Sequence, residues 1–372
     1  MLQVDCEFPG GNIVVERIDG DEVWLRQDRR DTEGWWFYWL LRIRGAAGRE
    51  VTFHFTDGNP FTHLGPSISE DFVHWSWPGA EVITEEDGSE NVRVTCRFPA
   101  EPDVFYLTYS IPYLESHLAA FLAGHARHPH LRRSTLTTSE EGRPVEKLVL
   151  RNPQAKAPRK IMLSARRHAC ESVANYVIEG FIDFALDASE RLLDAAEVLI
   201  VPFVDKDGVE NGDQGKNRRP HDHNRDHTDA PIYAATRAII HELDGWADGR
   251  FDVSLDVHCP WIRGGRNDSA FFCEPPEPYL PACRRFCEIL ADAHPGPLPF
   301  DPANNIGCGV DWNTGTEPTF NKWVRDHTAA RIAMTLEFPY ALAGGEAVTA
   351  DGARAFGRSL GRATRQWMAD SK

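Results

Sequence analysis

Residues 160–186 read KIMLSARRHACESVANYVIEGFIDFAL, and this stretch decides the class of fold. The apolar run 160–165 predicts a buried strand, and residues 172–186 carry apolar side chains at helical spacing. Gly180 lies on the apolar stripe of that helix, where it lowers helix propensity but allows another element to pack closely. A strand that leads directly into a helix is typical of an α/β domain.

The same alternation of strand and helix extends from residue 111 to residue 372. Compact runs with apolar centres predict further strands over residues 147–151, 196–201, 251–257 and 330–338. Helical patterns lie over residues 113–126, 231–246, 278–294 and 350–368. We therefore expect residues 111–372 to form an α/β domain with a mixed, largely parallel central sheet flanked by helices.

Residues 1–110 lack helical periodicity and contain short runs rich in Val, Phe, Tyr and Trp. The strands predicted there cover residues 22–25, 35–43, 50–55, 91–98 and 104–110. Short strands at this spacing predict an antiparallel β-sandwich as a separate N-terminal domain. Six of the eleven tryptophans lie in this region, and strand aromatics more often build a core than a sugar-stacking surface.

Composition excludes several classes of protein. The 372 residues include 40 Lys and Arg against 56 Asp and Glu, so the net charge is −16 and a basic nucleic-acid footprint is absent. No apolar run approaches the roughly 20 residues of a membrane span, and the N-terminus lacks the pattern of a secretion signal. The eight cysteines are too sparse for a disulfide scaffold. We expect a cytoplasmic protein that binds neither nucleic acid nor membranes.

Polar residues at the ends of predicted strands indicate where the chemistry takes place. His168 and Glu171 follow one strand, His258 ends another, and Glu337 ends a third. Open α/β sheets bind ligands at the carboxyl ends of their strands. Two histidines and one carboxylate leave an open position on Zn²⁺, and a further carboxylate can act as general base. Taken singly, each group also fits a structural role, as a solvated first helical turn or a hydrogen-bonding histidine.

Five motifs follow one another in a specific order. They are H-x-x-E at 168–171, DGV-x-NG at 207–212, D-x-N-R at 222–225, His258 and T-x-E at 335–337. In this order they closely resemble the zinc metallocarboxypeptidase family of carboxypeptidase A. The stretches 36–38 and 65–69, followed by Trp75, are similar to the β-sandwich domain of the family's cytosolic carboxypeptidase branch. The resemblance covers nearly the whole chain.

This resemblance implies a zinc-dependent metallocarboxypeptidase whose substrate is the C-terminus of a peptide or protein. His168, Glu171 and His258 would bind one zinc ion. Glu337 would be the general base that activates water and then protonates the leaving amine. Asp222 would accept a hydrogen bond from a ligand histidine and so fix its tautomer.

The resemblance also implies groups that hold the substrate. Asn224 and Arg225 would bind its terminal carboxylate, a task that suits a planar guanidinium. A further cation must polarise the scissile carbonyl. Arg218 and Arg219 are the candidates for this role; we favour Arg218, and Lys216 remains open.

Two clues to the preferred C-terminal residue conflict. Val310 occupies the approximate position that sets specificity in the digestive members, and it predicts an apolar pocket. The cytosolic branch instead favours acidic residues, so the resemblance to that branch implies a preference for Glu. No tyrosine precedes the pair Asp311 and Trp312, where family members place one over the bound substrate.

Two other functions remain open. A zinc amidohydrolase or deacylase that acts on a small N-acyl amino acid would use the same ligands. A non-catalytic module would use the sandwich to bind a peptide or sugar, although the presence of both Glu337 and Arg225 argues against it. A second metal site at His221, His223 and His227 is a lesser alternative, because polar-loop histidines are more often solvated.

Overall fold

Two β-sheets occupy residues 1–110 in the computed structural model, which describes residues 1–85, 91–156, 158–248 and 250–371. Their strands are β1 (Gln3–Asp5), β2 (Val14–Asp19), β3 (Glu22–Arg26), β4 (Leu40–Arg44), β5 (Glu50–Phe55), β6 (Ser67–Ser69), β7 (Ile83–Glu85), β8 (Val92–Arg97) and β9 (Val104–Thr108). One sheet has the order β1-β4-β9-β6 and the other the order β2-β3-β5-β8-β7. Neighbouring strands run antiparallel except β3 and β5, which are parallel.

The two sheets pack face to face around an apolar core. Leu41 and Leu107 from the first sheet, and Phe53 and Val94 from the second, line one small internal space together with Trp39. All five side chains are at most 2% exposed. The predicted sandwich of antiparallel sheets is therefore confirmed, with one parallel pair as the difference.

The strand predicted over residues 35–43 begins only at β4. The backbone N–H of Tyr38 donates to Gln214 Oε1 at 2.7 Å, and its carbonyl accepts from Gln214 Nε2 at 2.9 Å. A side chain from the C-terminal part of the chain thus takes the backbone groups that a neighbouring strand would otherwise pair. Residues 35–39 consequently lie outside the sheet, against the C-terminal part of the chain.

The central sheet of the C-terminal part has seven strands in the order β10-β11-β13-β12-β14-β16-β15. They are β10 (Leu131–Thr138), β11 (Pro144–Leu150), β12 (Arg159–Ala165), β13 (Ala196–Val201), β14 (Phe251–His258), β15 (Phe271–Cys273) and β16 (Ile332–Glu337). The four strands β13, β12, β14 and β16 are parallel, and the other pairs are antiparallel. A small hairpin follows, formed by β17 (Leu342–Ala343) and β18 (Glu346–Ala347).

Helices cover both faces of this sheet. They are α1 (Glu115–Gly124), α2 (Ala174–Leu186), α3 (Lys206–Asn211), α4 (Ala234–Trp246), α5 (Leu280–Ala293), α6 (Phe320–His327) and α7 (Ala350–Asp370). On β12, Ile161 and Leu163 pack in the apolar cluster that contains α2 and α7, whereas Met162 packs in the cluster that contains α4 and α6. This alternation explains why the central strands β12, β13 and β14 are buried on both faces. No helix in the described ranges is both long and apolar enough to cross a membrane.

The close packing predicted at Gly180 occurs between α2 and α7. A Cβ atom at Gly180 would overlap the carbonyl oxygen of Arg354 on α7. Conversely, a Cβ atom at Gly357 would overlap the carbonyl oxygen of Val177 on α2. The two glycines therefore let the backbones of these helices approach each other directly behind the sheet.

Candidate active site

Three predicted ligands meet at the carboxyl ends of the parallel strands. His168 and Glu171 lie in the turn between β12 and α2, and His258 is the last residue of β14. Glu171 Oε1 lies 2.9 Å from His168 Nδ1, and Glu171 Oε2 lies 2.9 Å from His258 Nδ1. The two Nδ1 atoms are 3.3 Å apart. These side chains are at most 4% exposed, so one buried point is surrounded by three ligand groups.

The donor set fits a zinc ion. Each of the three residues offers one ligand atom, and these atoms lie within 4.8 Å of one another. Among the described residues, this is the one group of His, Cys, Asp or Glu side chains that could hold a metal ion. Glu171 Oε2 is buried without a hydrogen-bond partner. Buried polar atoms normally have partners, so this carboxylate oxygen fits the role of a cation ligand. Two imidazoles and a carboxylate are the ligand types of catalytic zinc sites.

Carboxylates behind the histidines orient the rings. Asp256 Oδ2 lies 2.8 Å from His258 Nε2, and Asp222 Oδ1 lies 3.6 Å from His168 Nε2. In both histidines Nε2 thus faces a carboxylate and Nδ1 faces Glu171. This arrangement leaves Nδ1 as the metal-binding nitrogen and matches the usual histidine–carboxylate support of metal sites.

Asp256 is itself held in a buried network. Arg167 Nε donates to Asp256 Oδ2 at 2.7 Å, and Ser164 Oγ donates to Oδ1 at 2.6 Å. Burial alone would raise the pKa of Asp256, but Arg167 and His258 outweigh burial and hold that pKa below its ordinary range. The carboxylate behind His258 therefore stays charged.

The ligands themselves form a charged cluster. Burial would raise the pKa of Glu171, but His168 and Lys216 hold it well below its usual range. Burial would lower the pKa of His258, yet Glu171 and Asp256 raise it to about 10. A cation bound here would displace the proton of His258, because a histidine ligand must be neutral.

Glu337 lies beside this cluster at the end of β16. In the parallel pairing of β14 and β16 it is the partner of His258, and the backbone N–H of Phe338 donates to the His258 carbonyl at 2.8 Å. Glu337 is 7% exposed. Burial raises the pKa of Glu337 to about 7, although His258 opposes the shift. A carboxylate with this pKa can both accept and return a proton near neutral pH.

One cavity of about 400 Å³ brings the predicted site residues together. Its lining includes His168, His258, Asp222, Asn224, Arg225 and Glu337, together with Lys216, Asn217, Trp36, Trp261, Trp312, Asn321, Arg325 and Thr335. Glu171 lies fully buried beneath the two histidines. Trp36 comes from the N-terminal part of the chain, so both parts contribute to this cavity.

Asn224 and Arg225 are positioned by Asp222. Asp222 Oδ1 accepts the backbone N–H groups of Asn224 at 3.0 Å and of Arg225 at 3.2 Å, which starts the short 3₁₀ turn His223–Arg225. The buried Oδ1 of Asn224 has no hydrogen-bond partner. The Arg225 side chain is 37% exposed, with its Nε 4.0 Å from Glu317 Oε2. Both polar groups are thus available to a ligand in the cavity.

The structure does not bring Arg218 to the cavity. Its guanidinium lies among Asp31 (3.0 Å), Asp205 (2.7 Å) and Asp213 (2.9 Å), and these three carboxylates hold it away from the ligands. Arg219 is on the surface, with a side chain that is 79% exposed.

Lys216 is the cation of this loop that reaches the ligands. Its Nζ lies 2.6 Å from Glu171 Oε1, and its side chain is 16% exposed. Burial would lower the pKa of Lys216, but Glu171 raises that pKa above its ordinary value. The ammonium group is therefore charged and faces the predicted metal position.

Other residues singled out in the sequence lie apart from the three ligands. His221 Nε2 lies 2.7 Å from Asp226 Oδ1, His223 stacks on Tyr233, and His227 lies near Arg167. Within the described ranges these histidines do not form a metal-ligand cluster. Val310 is 46% exposed and is not part of the cavity lining, so an apolar specificity pocket built on it is not supported.

Sequence reasoning missed two residues of the site. Asp256 was detectable, because it precedes His258 by two positions on a strand and therefore lies on the same face. Arg325 gave no comparable signal, since it lies on the short amphipathic helix α6, where a basic residue normally faces solvent.

The matches to family models agree with this geometry. Residues 118–242 match the model described as zinc carboxypeptidase, and residues 4–121 match the model described as the cytosolic carboxypeptidase N-terminal domain. Over residues 4–242 the chain is thus similar to these two families of zinc and cytosolic carboxypeptidases. The matched ranges include His168, Glu171 and Asp222, whereas His258 and Glu337 lie beyond them. His258 and Glu337 lie side by side at the site because they are paired in the register of β14 and β16.

The similar curated proteins include cytosolic carboxypeptidases. Human cytosolic carboxypeptidase 2 is 30% identical over 246 residues, which cover 56% of this chain and 27% of the human protein. The chain spans less than a third of the length of the cytosolic carboxypeptidase 2 proteins of human and Macaca fascicularis.

Solved structures share the fold over the full chain. The metallo-carboxypeptidase from Burkholderia cenocepacia has a TM-score of 0.85 at 21% identity, with 100% of both chains covered. The Pseudomonas aeruginosa metallo-carboxypeptidase, solved with (2-guanidinoethylmercapto)succinic acid, has a TM-score of 0.81 at 19% identity, again with 100% of both chains covered. At these identities the similarity is one of fold.

Proposed function

We propose that this protein is a zinc-dependent metallocarboxypeptidase that removes the C-terminal residue of a peptide or protein. The observation that carries the proposal is the placement of three groups in one cavity: the metal-ligand triad, the Glu337 carboxylate and the Asn224–Arg225 pair. His168, Glu171 and His258 would hold one zinc ion. When bound, zinc would supply a Lewis acid that polarises a carbonyl and lowers the pKa of water.

Glu337 is the proposed general base. Its raised pKa of about 7 suits a group that takes a proton from water and then gives it to the leaving amine. Its position opposite His258 keeps the carboxylate beside the ligands. Of the other cavity-lining carboxylates among the described residues, Glu274 pairs with Arg284 at 2.9 Å and Asp222 faces His168.

Lys216 is the proposed electrostatic partner of the scissile carbonyl. Its ammonium group is within 2.6 Å of a ligand carboxylate and lines the cavity, whereas Arg218 is bound to three aspartates elsewhere. A buried cation next to the reacting carbonyl stabilises the negative charge that develops on its oxygen. We therefore assign to Lys216 the role that the sequence analysis favoured for Arg218.

Asn224 and Arg225 are proposed to bind the terminal carboxylate of the substrate. The Asn224 side chain lines the cavity with a buried oxygen that has no partner, and its amide group can also donate hydrogen bonds. The partly exposed guanidinium of Arg225 offers the planar pair of donors that a carboxylate prefers. A requirement for a free C-terminus follows from this pairing.

We propose a preference for acidic C-terminal residues, supported by Arg325. This half-buried residue lines the cavity one helical turn after Asn321, and its guanidinium donates to the Ala333 carbonyl at 3.0 Å. Within the described ranges Arg325 forms no ion pair with a carboxylate, so its charge remains available. Asn321 and Thr335, joined by a 3.2 Å hydrogen bond, add polar groups to the same wall.

Mass spectrometry of a peptide pool tests this function. The zinc-loaded protein is incubated with peptides that end in acidic, basic or apolar residues, each with a free and an amidated C-terminus. We expect stepwise loss of residues from free termini alone, with Glu lost fastest. Glu337→Gln should abolish the loss, whereas Glu346→Gln, at an exposed position on β18, should not. Trimming that persists in Glu337→Gln would contradict the mechanism.

The same experiment separates the two alternatives. Release of amino acids from small N-acyl substrates, with no trimming of peptides, would favour the amidohydrolase. Binding of peptides without turnover of either substrate would favour the non-catalytic module.

A cytoplasmic location stays a prediction, which the names of the cytosolic relatives support.

Substitution at Arg325 tests the acidic preference by itself. Arg325→Met should raise KM for Glu-ending peptides about tenfold or more and leave apolar-ending peptides unaffected, because one charged hydrogen bond is lost. Arg325→Lys should retain part of the preference. Arg127→Met, at an exposed position outside the cavity, is the charge-matched control. An equal change in KM for all peptides would show that Arg325 does not recognise the C-terminal side chain.

A further inference from the structure

The loop that carries Lys216 is held by the N-terminal part of the chain. The backbone N–H groups of Gln214 and Gly215 donate to the two carboxylate oxygens of Asp31, at 3.0 and 2.8 Å. The Thr32 hydroxyl donates to the carbonyl of Lys216 at 2.5 Å. Three consecutive loop residues are thus bonded to two consecutive residues of the N-terminal part.

The opposite face of this loop contacts the turn that carries the metal ligands. The backbone N–H of Cys170 donates to the Gln214 carbonyl at 3.1 Å. Gly215 has φ +71°, and a Cβ atom there would overlap the backbone nitrogen of Ala169, so only glycine fits. The loop is therefore clamped between Asp31 and the turn that contains His168 and Glu171.

We propose that Asp31 and Thr32 are positioning residues for Lys216, so that the N-terminal part completes the catalytic site. The inference rests on the role proposed above for Lys216. A lysine ammonium stands on a flexible four-carbon stem, so its position depends on a fixed backbone. A displacement of about 1 Å in a catalytic group can cost about 100-fold in rate.

Trp36 supports the same conclusion independently. Its indole lines the cavity, and the Nζ atom of Lys216 lies 5.3 Å from the ring centroid. This distance is within the range of a cation–π interaction, which restrains the ammonium laterally. The N-terminal part therefore contacts both the backbone and the side chain of Lys216.

Asp31→Asn tests the proposal, with Asp19→Asn as its matched control. Asp19 is exposed on β2, away from the loop. We expect Asp31→Asn to lower kcat about tenfold or more with KM changed less than about twofold, since the lost contact acts in the transition state. Hydrogen exchange at the Gln214 and Gly215 amides should become faster in Asp31→Asn. Asp19→Asn should leave both measurements unchanged.

A double-mutant cycle distinguishes positioning from a general loss of structure. In a Lys216→Met background, Asp31→Asn should have little further effect on the residual kcat/KM, because the group that it positions is gone. An equal fold-change in both backgrounds would overturn the proposal. Thr32→Val should resemble Asp31→Asn, and Thr32→Ser, which keeps the hydroxyl, should restore kcat.

Failure of this inference differs from failure of the proposed function. A zinc-loaded wild type that trims no peptide would contradict the function, and amide exchange would still show whether Asp31 holds the loop. Normal kcat in Asp31→Asn, together with faster exchange at Gln214 and Gly215, would overturn the positioning role alone. Unchanged exchange would overturn it as well.

Discussion

Asp256 Oδ2 lies 2.8 Å from Nε2 of His258, two positions further along the same strand. The contact occupies one ring nitrogen and leaves the other, Nδ1, directed at Glu171. Because the strand is buried at every position, this orientation is set by the sheet and does not depend on a mobile loop. A carboxylate of the same strand therefore supports the ring of His258, one of the three proposed metal ligands.

Asp256→Asn should weaken zinc binding about 10- to 100-fold, the usual effect of losing a carboxylate behind a ligand histidine. Competition with a chromophoric chelator measures the affinity. Asp244→Asn, at an exposed position on α4, provides the control. Unchanged zinc affinity in a folded Asp256→Asn protein would show that His258 does not need this support.

Arg225→Met should raise KM for peptides with a free C-terminus. Loss of a charge-assisted hydrogen bond costs about 2 kcal/mol, which corresponds to about 30-fold in affinity. The KM of Arg225→Lys should lie between those of Arg225→Met and the wild type, because a lysine keeps the charge but not the planar pair of donors. Steady-state kinetics on one peptide series measures KM. An unchanged KM in Arg225→Met would show that Arg225 does not bind the terminal carboxylate.

Gly180→Ala should destabilise the fold, because its methyl group would overlap the Arg354 carbonyl on α7. Overpacking of this kind costs about 1–3 kcal/mol. Urea denaturation gives the free energy of unfolding. Gly124→Ala is the control: no atom lies within 4 Å of a Cβ at this last residue of α1, so its stability should be equal or slightly higher.

Stability should depend on pH through Asp213. Burial and the neighbouring Asp31 raise its pKa from 3.8 to about 7, although Arg218 opposes this. The folded protein therefore keeps a proton that the unfolded chain releases, and this stabilisation is lost as the pH rises from about 4 through about 7.

The free energy of unfolding of the wild type should fall more steeply between about pH 5 and about pH 7 than that of Asp213→Asn. The difference in slope is at most about 1.4 kcal/mol per pH unit. Urea denaturation at several pH values measures it. Parallel slopes for the two proteins would show that Asp213 keeps an ordinary pKa.

Local patterns were sufficient for much of the fold. The strand 50–55 and the strand 196–201 were predicted with the bounds that the structure has, because apolar runs between turn residues leave few alternatives. The region 35–39 was mispredicted because Gln214, far along the chain, pairs with its backbone. Short elements such as α3 and β15 were not predicted, since so few residues carry no periodicity.

The sequence alone determined that strands and helices alternate after residue 111 and that His168, Glu171, His258 and Glu337 lie at or just after strand ends. The tertiary structure alone decided which cation faces the ligands. Lys216 and Arg218 are two residues apart on one polar loop, and nothing local distinguishes their directions. Asp31 accepts hydrogen bonds from the backbone of that loop and from the Arg218 guanidinium. This contact between residues distant in sequence holds Arg218 outside the cavity, whereas Lys216 lies inside it.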